Sequence, residues 1–228
     1  MVRADPLAAR HPRMGRPPRL SPGTILDAAW ELIRDGNRVE FSMRDLGELL
    51  AVDPAAIYRH FPSKQDLLRA LVDRLLDHVA VEPDLSPWRE VLERCCVGLR
   101  RSLSVAPSLL EAIGSAPPRL DNEIRLADTM LGALRAAGLP PIHAASAYHA
   151  LIELTLGSVV VDGALSVRTP SEREQLYADW RADYGRLDPA THPHAVEVAD
   201  QLYRGSADER FGAALGLMIA GIAALLDT

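Results

Sequence analysis

Between Ser42 and Asp66 the chain carries three separate signals for starting a helix. Ser42-Met43-Arg44-Asp45 is a capping-box pattern, Asp53-Pro54 sets an N-cap before a proline at the first helical position, and Ser63-Lys64-Gln65-Asp66 caps again. Starts this closely spaced allow only short helices, the first of about two or three turns and the second shorter still. The first has Met43, Leu46, Leu49 and Leu50 as its expected inner face, and the second buries Ile57 and Phe61. Pro62 breaks the second, and Leu67, Leu68, Leu71, Val72, Leu75, Leu76 and Val79 give the next helix a long apolar stripe. Upstream, Ser21-Pro22 opens a helix with Ile25, Ala28, Ala29, Leu32 and Ile33 at helical spacing, and Asp35-Gly36-Asn37 stops it.

The remainder also reads as helix, over about 86–104, 107–113, 119–137, 141–165, 171–184, 194–204 and 207–226, with Pro or Gly between the segments. Val159-Val160-Val161 is the best local strand candidate, but it lies within the long pattern from Ile142, so length favours helix. Aromatics make up only 5% of the chain, which further disfavours a sheet. The expected fold class is all-α: an N-terminal three-helix unit with a helix-turn-helix, followed by a larger helical domain.

Charge divides the chain as well. Residues 1–80 hold 12 basic and 11 acidic side chains, a balance of +1, whereas residues 81–228 hold 13 and 20, a balance of −7, so the net −6 comes from the rear. Arg3, Arg10, Arg13, Arg16 and Arg19 stand against Asp5 alone in residues 1–20. The expected division is a flexible basic arm at 1–20, a front unit with its connecting helix at 21–80, and a larger rear domain at 81–228, the two parts having different partners. That arm has no apolar core of a signal peptide, and the uncharged stretch Phe211–Leu226 is 16 residues, short of a membrane span of ~20. The adjacent Cys95 and Cys96 supply neither a disulfide framework nor a spaced zinc pair. A cytoplasmic protein without membrane contact or structural metal is expected.

Two short helices joined by a tight corner describe a helix-turn-helix, whose second helix enters a major groove ~12 Å wide. Its outward residues would be Ala55, Ala56, Tyr58, Arg59 and His60. Small residues at its start permit close approach to base edges or thymine methyls, while Tyr58 and His60 donate to phosphates. Arg44 reaches a guanine edge or a phosphate. Lys64, the only lysine, follows an N-cap where a cation and free backbone N–H groups grip a phosphate together.

The stretch from Thr24 to Leu76, above all Ser42-Met43-Arg44-Asp45-Leu46 and Ala51 through Lys64, resembles the DNA-binding domain of TetR-family transcriptional regulators. Trp88-Arg89-Glu90-Val91-Leu92, Ala136-Ala137-Gly138-Leu139 and Leu154-Thr155-Leu156-Gly157-Ser158-Val159 resemble the tetracycline-repressor branch in the C-terminal half. The resemblance implies an all-helical homodimer, each subunit offering one helix-turn-helix to half of a palindromic double-stranded operator, with a small-molecule effector in the rear domain. By position it implies Ser42, Arg44, Ala55, Ala56, Tyr58, His60 and Lys64 as the DNA-contacting set; Arg59 joins them on its expected exposure. It also implies that the helices at about 141–165 and 207–226 form the dimer's four-helix bundle. The spacing of Gly212, Gly216 and Gly221 independently favours close helix packing, within the subunit or across it.

Positions that in tetracycline-binding members carry polar and metal-chelating groups fall on Cys95, Ile113 and Val161, none of them a ligand that magnesium prefers. The expectation is therefore no cofactor and a largely apolar effector, in a cavity lined by Leu99, Leu103, Ile113, Met130 and Leu134 with Cys95 beside them. His149 and Glu153 share a helix face four residues apart, either orienting that ligand or forming a polar pair at the dimer seam. No Gly-rich phosphate loop, nucleophile elbow or spaced metal pair nominates an enzyme, and His192-Pro193-His194 lacks a third ligand. The chain reads as a repressor that an effector releases; the alternative is a helical interaction protein of the same fold that does not read DNA.

Overall fold

The computed structural model describes residues 20–36, 41–79, 87–112, 117–165 and 168–226. The basic arm and Ile113 lie outside them. The described helices are α1 (Pro22–Gly36), α2 (Met43–Leu50), α3 (Pro54–Tyr58), α4 (Lys64–Leu75), α5 (Trp88–Leu103), α6 (Ser108–Ala112), α7 (Asp121–Ala136), α8 (Pro141–Leu165), α9 (Pro170–Gly185), α10 (Pro193–Val198) and α11 (Ala207–Ala224), with one 3₁₀ turn at Ala199–Gln201. There is no strand among the described residues. Val159 to Val161 belong to α8, as helix length requires.

The chain divides into two compact units, Met1–Tyr148 and His149–Thr228, and the division falls inside α8. In the first unit α1 packs on α2 and α4, and α4 continues onto α5, α6 and α7. Ile25, Ile33, Leu46, Ile57, Leu67 and Leu71 are fully buried and hold this arrangement together. At roughly 1.5–3 kcal/mol for each large aliphatic side chain removed from water, this small core is the main stabilising term of the head. The apolar stripe of α4 is buried along its length, from Leu67 to Val79. Arg74 pairs with Asp27 across α4 and α1.

The expected inner face of α2 needs one correction. Met43 and Leu46 are buried, but Leu49 is 48% exposed, and Gly47 is the buried residue that takes its place. A Cβ on Gly47 would stand 3.0 Å from the Val52 carbonyl oxygen and 3.1 Å from Pro54 Cγ, so the following corner presses on this side of the helix. Position 47 lies on the contact face because that corner, and not a neighbouring helix alone, defines it.

α5 packs on α7, and both contribute apolar faces: Leu92, Cys95, Cys96, Leu99 and Leu103 from one, Leu126, Met130 and Leu134 from the other. Gly138, with φ +107°, ends α7 by admitting the left-handed turn that a side chain disfavours. Its N–H donates to the Arg135 carbonyl at 3.0 Å, and the Leu139 N–H to that of Leu134 at 3.2 Å.

In the second unit an aromatic cluster joins α9 to the turn before α11. The Tyr177 and Tyr203 rings lie parallel at 5.7 Å, and Trp180 meets Tyr203 edge-on at 4.8 Å. Arg210 of α11 closes the cluster, its guanidinium 4.7 Å from the Tyr177 ring centre and donating to the Tyr177 hydroxyl at 2.9 Å. Capping boxes at Thr169 and Ser206 start α9 and α11. By length and composition α8 could cross a membrane, yet it carries Glu153 and Asp162, which a bilayer interior penalises.

Candidate nucleic-acid interface

The head is built outward from its caps. Ser42 Oγ accepts the Asp45 N–H at 3.1 Å while Asp45 Oδ2 accepts the Ser42 N–H at 2.7 Å, completing the capping box. The Ser42 N–H bond holds the Asp45 carboxyl below its ordinary 3.8. At the far end of α2, Ala51 adopts φ +53°, and the Val52 N–H returns to the Gly47 carbonyl at 2.9 Å. Asp53 Oδ1 then accepts the Ala55 N–H at 2.8 Å, and Pro54 begins α3 with its φ already set.

This corner turns α3 so that Ile57 and Phe61 face inward while Ala55, Tyr58, Arg59 and His60 are exposed and Ala56 is half-exposed. Tyr58 is 47% exposed although it is a large aromatic. Ser42 and Arg44 are exposed on α2. Arg44 Nε donates to Glu48 Oε1 at 3.1 Å one turn on. A concavity of about 340 Å³, lined by Arg44, Gly47, Glu48, Ala51, Val52 and Pro54, marks the α2–α3 corner.

Lys64 has a structural task that its spacing did not reveal. Its ammonium donates to the Phe41 carbonyl and sits 4.6 Å from the centre of the Phe41 ring. Partial burial lowers its pKa, with Asp45 acting in the opposite sense. The lysine thereby ties the start of α4 to the entry of α2.

Of the residues expected around an effector, Cys95, Leu99 and Leu103 on α5 and Met130 and Leu134 on α7 come together as buried core, each 3% exposed or less. Burial, with Cys96 adjacent, pushes the Cys95 thiol up to about 11, which makes it an inert apolar group at neutral pH. His149 and Glu153 are exposed on α8, as is Val161.

Sequence reasoning missed Asp73. It is 8% exposed on the otherwise apolar face of α4, and it bonds to the start of α7. A lone acid inside the Leu71–Leu76 stripe was the available signal. Glu48 was missed too; its only mark was the i+4 spacing from Arg44.

Two family descriptions match the chain in succession: "Bacterial regulatory proteins, tetR family" over residues 25–71, and "Tetracyclin repressor-like, C-terminal domain" over residues 82–226. The class C tetracycline repressor of Escherichia coli is 27% identical over 210 residues, covering 90% of this chain and 91% of that protein. An HTH-type transcriptional repressor of Mycobacterium tuberculosis is 30% identical over 204 residues, covering 83% and 75%. Among solved structures, a TetR from Streptomyces coelicolor superposes with a TM-score of 0.77 at 28% identity, covering 91% of this chain and 99% of that one. ActR of the same organism, solved with actinorhodin, shares the fold at a TM-score of 0.79 and 24% identity, over 90% and 98%. The capped corner, the outward face of α3 and the matches to both halves lead to one conclusion: the chain belongs to the TetR family, and it is a transcriptional regulator and not an enzyme.

Proposed function

We propose that the protein is a cytoplasmic repressor that binds a palindromic operator as a homodimer and leaves it when a small, largely apolar effector binds. The observation that carries the DNA half is the exposed face of α3. Ala55 and Ala56 keep its start slim enough for contact with base edges, while Tyr58, Arg59 and His60 supply donors to the backbone. Ser42, Arg44 and Lys64 would add contacts from α2 and the start of α4. The functional division is at about residue 80, between the head with α4 and the helices that follow.

Two exposed faces support a second copy as the partner. On α8, Ile142 is 70% and Val161 62% exposed, while on α11 Leu217 is 77% exposed beside Gly212, Gly216 and Gly221. A Cβ at any of those three glycines meets no atom within 4 Å, so packing within the second unit does not require them. Small residues flanking one protruding leucine suit the close approach of another helix. In such a dimer His149 and Glu153 would lie at the seam.

The effector would be received between α5 and α7, against Leu99, Leu103, Met130 and Leu134, with Cys95 as a neighbour. These side chains offer apolar area and no hard-cation ligand, so the tetracycline–magnesium chemistry that the relatives' names bring to mind is not the one favoured. Because α5 and α7 pack closely there, admitting a ligand requires them to part. That movement could reset the separation of the two α3 helices, which must be ~34 to 36 Å, one DNA turn, on a palindrome.

Selection of duplexes from a random pool tests the proposal. An inverted repeat with half-site centres about 10 base pairs apart is expected. Recovery of no common motif would overturn it.

A further inference from the structure

We propose that Asp73 is a positioning residue that fastens the DNA-reading head to the C-terminal domain by capping the first turn of α7 from α4. The proposal rests on the DNA-reading role of α3 given above.

The start of α7 lacks a local cap. Its N-cap position is Leu120, whose side chain has no oxygen to offer the first-turn N–H groups. Asp73 supplies one from the other side of the sequence: Oδ1 accepts the Asn122 N–H at 3.1 Å and the Glu123 N–H at 2.9 Å. Asn122 answers with its amide, Nδ2 donating to the Asp73 carbonyl oxygen at 3.0 Å and to Oδ2 at 3.1 Å. Four hydrogen bonds thus converge on one residue that is 92% buried by its 8% exposure. Arg119, just before the helix, adopts φ +58°, a conformation disfavoured for a side chain, and so turns the chain into this contact. Arg125 of α7 approaches Asp77, just past the end of α4, at 3.7 Å.

The same helix holds the head. Lys64 at its first position bonds to Phe41 at the entry of α2, and Arg74 near its end pairs with Asp27 of α1. α4 is therefore anchored to the reading unit along its length and to α7 through Asp73. A shift of α7 by more than about the length of a hydrogen bond must either carry α4 with it or break the cap. Breaking it leaves a carboxylate without partners in a buried setting and two helix N–H groups unsatisfied, so the junction has an engaged and a released arrangement with little between.

The test uses the full chain, a duplex recovered from the random pool, and three variants: Asp73→Ala, Asp73→Asn, and the exchange Asp73→Asn with Asn122→Asp. Asparagine at 73 still accepts backbone N–H groups, but its amide opposes that of Asn122, whereas the exchange restores a donor–acceptor pair. Two readouts are taken: duplex affinity, and hydrogen exchange at the Asn122 and Glu123 amides with and without duplex. In the wild type, duplex binding should slow exchange at these amides. In Asp73→Asn the duplex should lose this effect and bind about tenfold more weakly, and the exchange variant should regain part of both. A merely structural cap would speed exchange in the variants while leaving wild-type exchange indifferent to duplex, and that outcome overturns the proposal. If the wild type prefers a duplex but all three variants match it in both readouts, the proposal falls and the DNA-reading assignment stands. If the wild type prefers no duplex, both fall.

Discussion

Replacing Gly47 with alanine isolates the contact that sets α3 against α2. Inside a helix, glycine to alanine ordinarily gains about 1 kcal/mol, because the unfolded chain has less freedom to lose. Here the new methyl would stand 3.0 Å from the Val52 carbonyl oxygen and 3.1 and 3.3 Å from two Pro54 ring atoms. Neither neighbour retreats easily. Val52 is held by its own N–H bond to the Gly47 carbonyl at 2.9 Å, and Pro54 is the first residue of α3, packed beneath the Asp53 cap. Overpacking of this kind costs ~1 to 3 kcal/mol, which leaves a net loss of about 1 kcal/mol. Gly132, in α7, meets no atom within 4 Å, so Gly132→Ala should keep the full gain of about 1 kcal/mol. The two variants should differ by about 2 kcal/mol, roughly thirtyfold in the folding equilibrium. Urea unfolding followed by circular dichroism reads the difference, and duplex affinity should fall for the first variant only, because the clash displaces α3. Equal unfolding midpoints with unchanged affinity would refute this account of the corner.

Three further outcomes follow from single features. Ala51 has φ +53°, so Ala51→Gly should relieve left-handed strain and stabilise the head by up to ~1 kcal/mol; a lower unfolding midpoint would count against the corner geometry. The carboxyls of Asp45, Glu172 and Glu209 are held below their ordinary values of 3.8, 4.5 and 4.5 by the N–H groups of Ser42, Thr169 and Ser206, so their stabilisation is present above those values and lost as pH falls through the lowered ones. Thermal midpoints between pH 6 and 3 should therefore drop less in the variant with Asp45→Asn, Glu172→Gln and Glu209→Gln together, and an unaltered acid limb would contradict the capping geometry. Leu217→Arg places a charge at the most exposed apolar side chain of α11 and should shift sedimentation from dimer to monomer without loss of helix; an unchanged dimer would remove α11 from the proposed seam.

The head was legible because its signals are local. Ser42, Asp53 and Ser63 cap the residues two or three places ahead of them, and each bond appears where the spacing put it. The apolar stripe of α4 was legible for the same reason, since helical periodicity decides which residues face inward. Leu49 was misplaced because the inner face of α2 is set partly by the backbone of the next corner, which has no hydropathy. Asp73 was invisible as a cap because its partners are 49 and 50 residues away, and nothing near Leu120 announces a missing N-cap except the absence of a polar side chain. Lys64 shows a third limit: its position predicted a phosphate contact, but only coordinates reveal the Phe41 carbonyl beneath it. In the rear domain, composition identified Leu99, Leu103, Met130 and Leu134 as apolar without distinguishing a cavity wall from closed core; the structure has them closed.

A salt titration of duplex binding by fluorescence anisotropy, run on the wild type and on Arg44→Ala of α2, addresses the reading unit most directly. The pool-selected duplex should bind more tightly than random duplex at ~150 mM salt, with the logarithm of affinity falling linearly with that of salt concentration. Arg44→Ala should cost ~1 to 3 kcal/mol at one base pair if its guanidinium reads guanine. Equal affinity for selected and random duplexes across the titration would contradict the claim that α3 and its neighbours read a sequence.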